Sequence, residues 1–145
     1  MTLDEASLIR LTEEFIPFNK FLGMRVASIK KGFARIEIPF RPELIGDPLR
    51  PALHGGVVST LADTAGGMAV WSGVDDERSR VSTIDLRIDY LRPARLETLV
   101  AEATVVRLGN RVGVADVRLF HPGAESDTVA TGKGVYNVKI VKPKP

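Results

Sequence analysis

The chain opens with apolar positions set among charges at helical spacing: Leu3, Leu8, Leu11, Phe15 and Ile16. That spacing predicts an amphipathic helix over about residues 3–16, ended by Pro17, whose ring cannot continue it. A short turn or second helical piece, "PFNKFLG", leads into a strand near Met24 to Lys30. "KKG" then turns into "FARIEIPF", where Ala34, Ile36, Ile38 and Phe40 alternate with Arg35, Glu37 and Pro39, the period of a strand. "RPELIGDPLRPAL" carries three prolines in thirteen residues and predicts a loop. A long apolar helix follows, from about Gly55 to Trp71. Beyond the polar "SGVDDERSR", the segment "VSTIDLRIDYL" sets Ile84, Leu86, Ile88 and Tyr90 against Asp85, Arg87 and Asp89, a strand with one wet face. "TLVAEATVVRL" and "RVGVADVRLF" flank a "GN" turn as a hairpin, and "TVATGKGVYNVKIV" closes the series. The order predicts an α+β fold, one antiparallel sheet with a single dominant helix on its apolar face. No repeat or linker divides the chain, so one domain is expected over 1–145, with a flexible tail at about 141–145.

Composition narrows the chemistry. With 145 residues, 44% hydrophobic and 26% charged, the chain can bury a core and is expected to be globular. No apolar run approaches the roughly 18 residues of a membrane span, and the acidic, amphipathic N-terminus lacks a signal-peptide pattern, so a cytoplasmic protein without membrane association is expected. The absence of Cys removes disulfides and thiolate chemistry, and with two His, His54 and His121, no metal site is expected. A net charge of +2 on scattered Lys and Arg gives no footing for nucleic acid, but it suits an anionic small molecule.

The segment "LHGGVVSTLADTAGGMAVW" departs from what a core helix needs. Each helix-interior Gly costs about 1 kcal/mol against Ala, and an unpaired Asp is avoided on an apolar face. Gly66 and Gly67 are explained by packing, as small residues where helix and sheet backbones approach closely. The His54-Gly55-Gly56 turn stands where unpartnered N–H groups and the positive dipole end gather. Glycines there admit another group to those donors, a developing oxyanion among them; a plain helix cap would use the same residues. Asp63, on a strongly apolar stretch, is a candidate general base or nucleophile; pairing with an Arg such as Arg87, or an exposed stripe, would also account for it. Gly56 and Asp63 are about 10 Å apart along one helix axis. A single reacting centre needs both within about 3 Å. Two helices running antiparallel across a two-fold axis meet that need, so a catalytic motif here implies at least a dimer with shared sites.

"LHGGVVSTLADTAGG" followed by "TIDLRIDYLRPA" resembles the hotdog-fold acyl-CoA thioesterases of the phenylacetate-pathway type, over nearly the whole chain from "FLGMRV" to "TGKGVYNV". The resemblance implies a curved antiparallel sheet wrapped around one central helix, acyl-CoA as substrate, no separate cofactor, and homodimers that commonly pair into tetramers. It implies that the Gly55 N–H polarises the thioester carbonyl, that His54 fixes that end of the site beside Gly56, that Asp63 of the partner chain attacks or activates water, and that Thr83 orients the carboxylate or water. Relatives often carry Asn six residues before the motif His; here Pro48 stands there, beside Asp47, which leaves the leaving-group side altered. Coenzyme A phosphates would meet surface cations, with Arg92, Asn110 and Arg111 as candidates. Met68 and Trp71, one turn apart, are candidates for the acyl pocket or plain core.

Two other readings stand beside this one. An enoyl-thioester hydratase or dehydratase of the same fold would need a His working with an acid, an arrangement that His54 in its Gly-Gly turn and His121 in "HPG" do not offer, and hydration of crotonyl-CoA discriminates it. A non-catalytic acyl-CoA binding module would bind ligand and release no thiol. A Ser hydrolase is disfavoured because no Ser has the G-x-S-x-G setting.

Overall fold

The computed structural model describes residues 3–145. The expected long helix, α3 (Gly55–Ser72), lies on one face of a six-stranded antiparallel sheet. Its strands are β1 (Arg25–Lys30), β2 (Phe33–Ile38), β5 (Ser79–Tyr90), β6 (Leu99–Leu108), β7 (Val112–Phe120) and β8 (Ala130–Ile140), in the order β1-β2-β6-β7-β8-β5. The period-two pattern of β2 is realised in full: Ala34, Ile36 and Ile38 are buried, and their partners on β6 are Ala103, Ala101 and Leu99, also buried. Against them α3 presents Leu61, Ala62, Ala65 and Ala69, all fully buried. Register shifts on β1, β5 and β6 each place an extra residue on one strand; such bulges bend strands and let the sheet curve around the helix. Among the described residues no helix is long and apolar enough to cross a membrane.

The N-terminal helix and the second helical piece are found, and two later expectations are corrected. α1 (Glu5–Arg10), capped by Asp4 Oδ1 accepting the Ser7 N–H at 2.7 Å, runs into a widened turn at Leu11–Phe15. Pro17 then opens α2 (Pro17–Leu22), because the first helical position needs no N–H. The proline-rich "loop" holds a single 3-10 turn, Pro42–Leu44, and a two-stranded ribbon of β3 (Ile45–Asp47) and β4 (Ala52–Leu53). Asp47 Oδ1 accepts both the Leu49 and Arg50 N–H at 3.0 Å and closes the ribbon's turn, with Pro48 and Pro51 outside the paired positions. On β5 the expected alternation is broken by the bulge between Thr83 and Asp85, which leaves Ile84 57% exposed. Residues 141–145 are exposed and without regular structure.

The glycines of α3 have a definite occupant opposite them. Tyr136 on β8 is buried, and its ring lies against α3 where a Cβ on Gly66 would come within 2.2 Å of the phenol oxygen. Gly134 makes the same room from the strand side, at 2.3 Å, whereas a Cβ on Gly67 would meet the ring at an ordinary 3.4 Å. Gly66→Ala is therefore expected to cost about 1–3 kcal/mol through overpacking. Gly67→Ala should be neutral or stabilising through helix propensity. Thermal unfolding of the two variants side by side checks the contrast.

Candidate active site

The start of α3 is held from both sides. The His54 N–H donates to Leu44 O at 2.8 Å, and the Leu53 N–H donates to Ala94 O at 3.0 Å. The ribbon passes so close that a Cβ on Gly46 would lie 2.4 Å from His54 Cα. His54 is the N-cap: its Nδ1 accepts the Gly56 N–H at 2.8 Å, and its carbonyl accepts the Val57 N–H at 2.9 Å. The Gly55 N–H meets no acceptor among the described residues. Its donor thus faces outward at the positive end of an 18-residue helix. Beside it opens a recess of about 330 Å³ bordered by Gly55, Tyr90 and Arg92. The Tyr90 hydroxyl donates to Gly55 O at 3.0 Å, and its ring sits 3.4 Å from where a Gly55 Cβ would be.

Two turns along, Asp63 is half-buried and its Oδ1 accepts the Thr83 hydroxyl at 2.7 Å. Arg87, considered above as its partner, pairs instead with Asp89 at 3.1 Å. The pair opens on a cavity of about 190 Å³ lined also by Asn19, Met68, Trp71 and Tyr136. Met68 is buried, and Trp71 is fixed by its Nε1–H donating to Ser79 Oγ at 2.9 Å. The Tyr136 hydroxyl donates to the Asp63 backbone carbonyl at 2.9 Å. Burial, then the Asp63 charge and hydrogen bonding, push the phenol well above its ordinary range, with a hydrogen bond from Gly67 N–H acting the other way. Asn19 is 4% exposed, and its Nδ2 finds no acceptor among the described residues. An unmet buried donor costs about 1–3 kcal/mol.

Asp63 and Thr83 are brought together within one chain, and Gly55 and His54 form a second group about 12 Å away along the helix. Pro48 lies exposed in the ribbon turn. Arg92 borders the Gly55 recess and pairs with Asp127 at 3.6 Å. Asn110 and Arg111 sit on the β6–β7 hairpin, whose Leu108 and Gly113 pack against Gly73 and Val70 at the opposite end of α3. One protomer does not unite the three. His121 is buried and fully employed: Nε2 accepts the Arg95 N–H at 2.9 Å, and Nδ1 lies 2.8 Å from Thr98 O. Asn19 and Tyr136 were not anticipated from the sequence. The available signal was a polar residue at the three-residue spacing of Ile16 and Leu22.

Residues 51–126 match the model of the Thioesterase superfamily. The chain is similar to a Halobacterium salinarum protein named as a candidate esterase, 40% identical over 141 residues that cover 93% of each chain. It is also similar to the medium/long-chain acyl-CoA thioesterase YigI of Escherichia coli K12, 35% identical over 149 residues covering 92% of this chain and 95% of that one. Among solved structures, a thioesterase family protein from Silicibacter pomeroyi superposes with a TM-score of 0.83 at 28% identity, covering 94% of this chain and 98% of that one. The Escherichia coli PaaI protein from the phenylacetic acid degradation operon does so with a TM-score of 0.69 at 30% identity, covering 81% and 85%.

The seat of Tyr136 has a consequence at alkaline pH. Below about pH 10 the phenol is protonated in both folded and unfolded chains, and the stability tied to it is intact. Above that value the unfolded chain loses the proton while the folded one keeps it, so stability falls by up to about 1.4 kcal/mol per pH unit. Tyrosinate absorbance from Tyr136, taken as the difference between wild type and Tyr136→Phe, is expected to rise together with loss of helical circular dichroism and not before it.

Proposed function

Because the chain belongs to the thioesterase superfamily, and is a thioester hydrolase, we propose that it cleaves acyl-coenzyme A to the free acid and coenzyme A at a site shared by two protomers. The observation that carries this reading is the Asp63 carboxylate, oriented by Thr83 at 2.7 Å and set in a largely apolar cavity. A carboxylate so held accepts a proton from water, or attacks the carbonyl itself; either role ends in hydrolysis. The Gly55 N–H, without an acceptor among the described residues, donates to the oxyanion that develops on the thioester carbonyl. His54 serves by capping the helix through Nδ1, which keeps the Gly55 and Gly56 backbone in place. Met68 and Trp71 line the space beside the carboxylate where the acyl group's first carbons fit.

The separation of about 12 Å between Gly55 and Asp63 supports the shared site. So does β5, which among the described residues pairs only with β8 and leaves a 12-residue edge open, with Ile84 57% and Tyr90 55% exposed. Proteins cover edges of this length, and a second copy of the same strand does so with two-fold symmetry. Antiparallel α3 helices would also bring the Asn110–Arg111 hairpin of one protomer to the same end as Arg92 of the other, where the coenzyme A phosphates would lie.

The test is thiol release from acetyl-, hexanoyl-, palmitoyl- and phenylacetyl-CoA. Asp63→Ala is expected to lose about 10²-fold or more. Gly55→Pro removes the N–H at a helical position where proline is tolerated, and a loss of about 10²–10³-fold is expected. Refolding Asp63→Ala and Gly55→Pro together should restore about a quarter of wild-type activity, because half of the dimers are mixed and each has one intact site. No thiol release from any substrate, or full activity in Asp63→Ala, would overturn the reading; no recovery on mixing would overturn the sharing.

A further inference from the structure

Asn19 is a polar residue on the inward stripe of a six-residue helix, aligned with Ile16 and with buried Leu22, while Phe18 and Phe21 on the same helix are 55% and 64% exposed. A chain selected only for stability would place these the other way round. The position is not loosely held. Pro17 fixes the start of α2, Gly23 ends it in the left-handed conformation at φ 72, and the Met24 N–H donates to Asn19 O at 3.0 Å. The side chain lines the same cavity as Asp63 and Thr83, and among the described residues neither its sealed Nδ2 nor its Oδ1 has a hydrogen-bond partner. Buried amides normally find a partner, and one left unmet in a cavity beside a carboxylate calls for a ligand that bonds to it.

We infer that the Asn19 amide holds the water that Asp63 activates. This rests on the hydrolytic reading above and adds to it a residue from the N-terminal helices. The amide Oδ1 accepts one hydrogen of the water and the Asp63 carboxylate, whose Oδ1 is already fixed by Thr83, accepts the other, which leaves a lone pair of the water oxygen free to attack. On attack, the water oxygen forms its bond to the thioester carbon and its proton passes to Asp63. The carbonyl electron pair moves onto the oxygen facing the Gly55 N–H of the second protomer. Its return breaks the carbon–sulfur bond, and the proton goes on to the departing thiolate. Water and thioester become acid and thiol, with nothing else consumed. Asn19 is a catalytic residue in this scheme, since it touches the reacting water.

Asn19→Leu has nearly the same shape and removes both polar atoms. Its kcat on hexanoyl-CoA and palmitoyl-CoA is expected to fall about tenfold or more, the equivalent of about 1.4 kcal/mol, with KM unchanged. Its thermal midpoint should stay level or rise, because an unpaired buried donor has been replaced by an apolar group. In an Asp63→Asn background the same substitution should cost nothing further, since both groups act on one water. Wild-type kcat in Asn19→Leu would overturn the inference, and so would a lowered midpoint with the same fractional loss in both backgrounds. Asn19→Ala, smaller and free of steric demand, decides the case if the Leu variant does not fold. Failure of the hydrolytic reading shows separately, as full activity in Asp63→Asn with Asn19 intact.

Discussion

The close approach of α3 to the sheet is the constraint on which the rest depends. Side chains have been withdrawn from both surfaces to permit it: Ala62, Ala65, Gly66 and Ala69 on the helix, Gly113 and Gly134 on the strands. A Cβ on Gly113 would come within 2.5 Å of Val70 Cγ1, and one on Gly134 within 2.3 Å of the Tyr136 oxygen. Glycine inside a helix costs about 1 kcal/mol of propensity. Here that cost is set against the burial of Tyr136 and of the alanine face, and the burial prevails. The rigid mounting that results has a chemical consequence. Asp63 rides on a helix whose carbonyl at that point is tied to the last strand by Tyr136, and whose carboxylate is tied to β5 by Thr83. Backbone and side chain of one residue are thereby fixed from two different strands.

The same rigidity divides the site. A helix advances about 1.5 Å per residue, so no adjustment within one chain can carry the Asp63 carboxylate to the Gly55 N–H. The two ends of the chemistry are built with separate supports. The N-terminal end is clamped by the β3–β4 ribbon over His54 and by Ala94, while the carboxylate end is closed by α2 and β5. Symmetry then becomes part of the proposed mechanism, and the open edge of β5 gives it a place to act.

Much of this was legible in the residues. The alternation in "FARIEIPF" located β2 and its inward face, and the His-Gly-Gly turn marked the start of α3. The pairing of Asp63 with Thr83, implied by family resemblance, is present as a hydrogen bond. What could not be read shares one physical cause, which is that tertiary contact outranks local pattern. The proline-rich segment forms a ribbon because Asp47 supplies a side-chain turn and His54 offers a backbone partner to Leu44, and neither is a periodic signal. Ile84 is turned out by a bulge, so counting by twos along β5 fails at that point. Tyr136 read as an ordinary strand residue, and only the three glycines around it, distant in sequence, show that it was accommodated.

Asn19 is the sharpest case, because the pattern there is inverted. Any amphipathic reading of "PFNKFLG" turns Phe18 and Phe21 inward and Asn19 outward, and the structure does the reverse. The reversal is enforced by backbone and not by side-chain preference. Pro17 and the left-handed Gly23 leave α2 about one and a half turns. Over that length Leu22 and the Ile16 contact decide which face goes in, and Asn19, three residues from each, goes with them. The apolar surface lost by exposing two phenylalanines is large compared with one hydrogen bond. A fold tolerates such a loss when what it places inside is needed there. Among the residues lining the Asp63 cavity, the one that runs against stability is also one whose buried amide has no partner among the described residues.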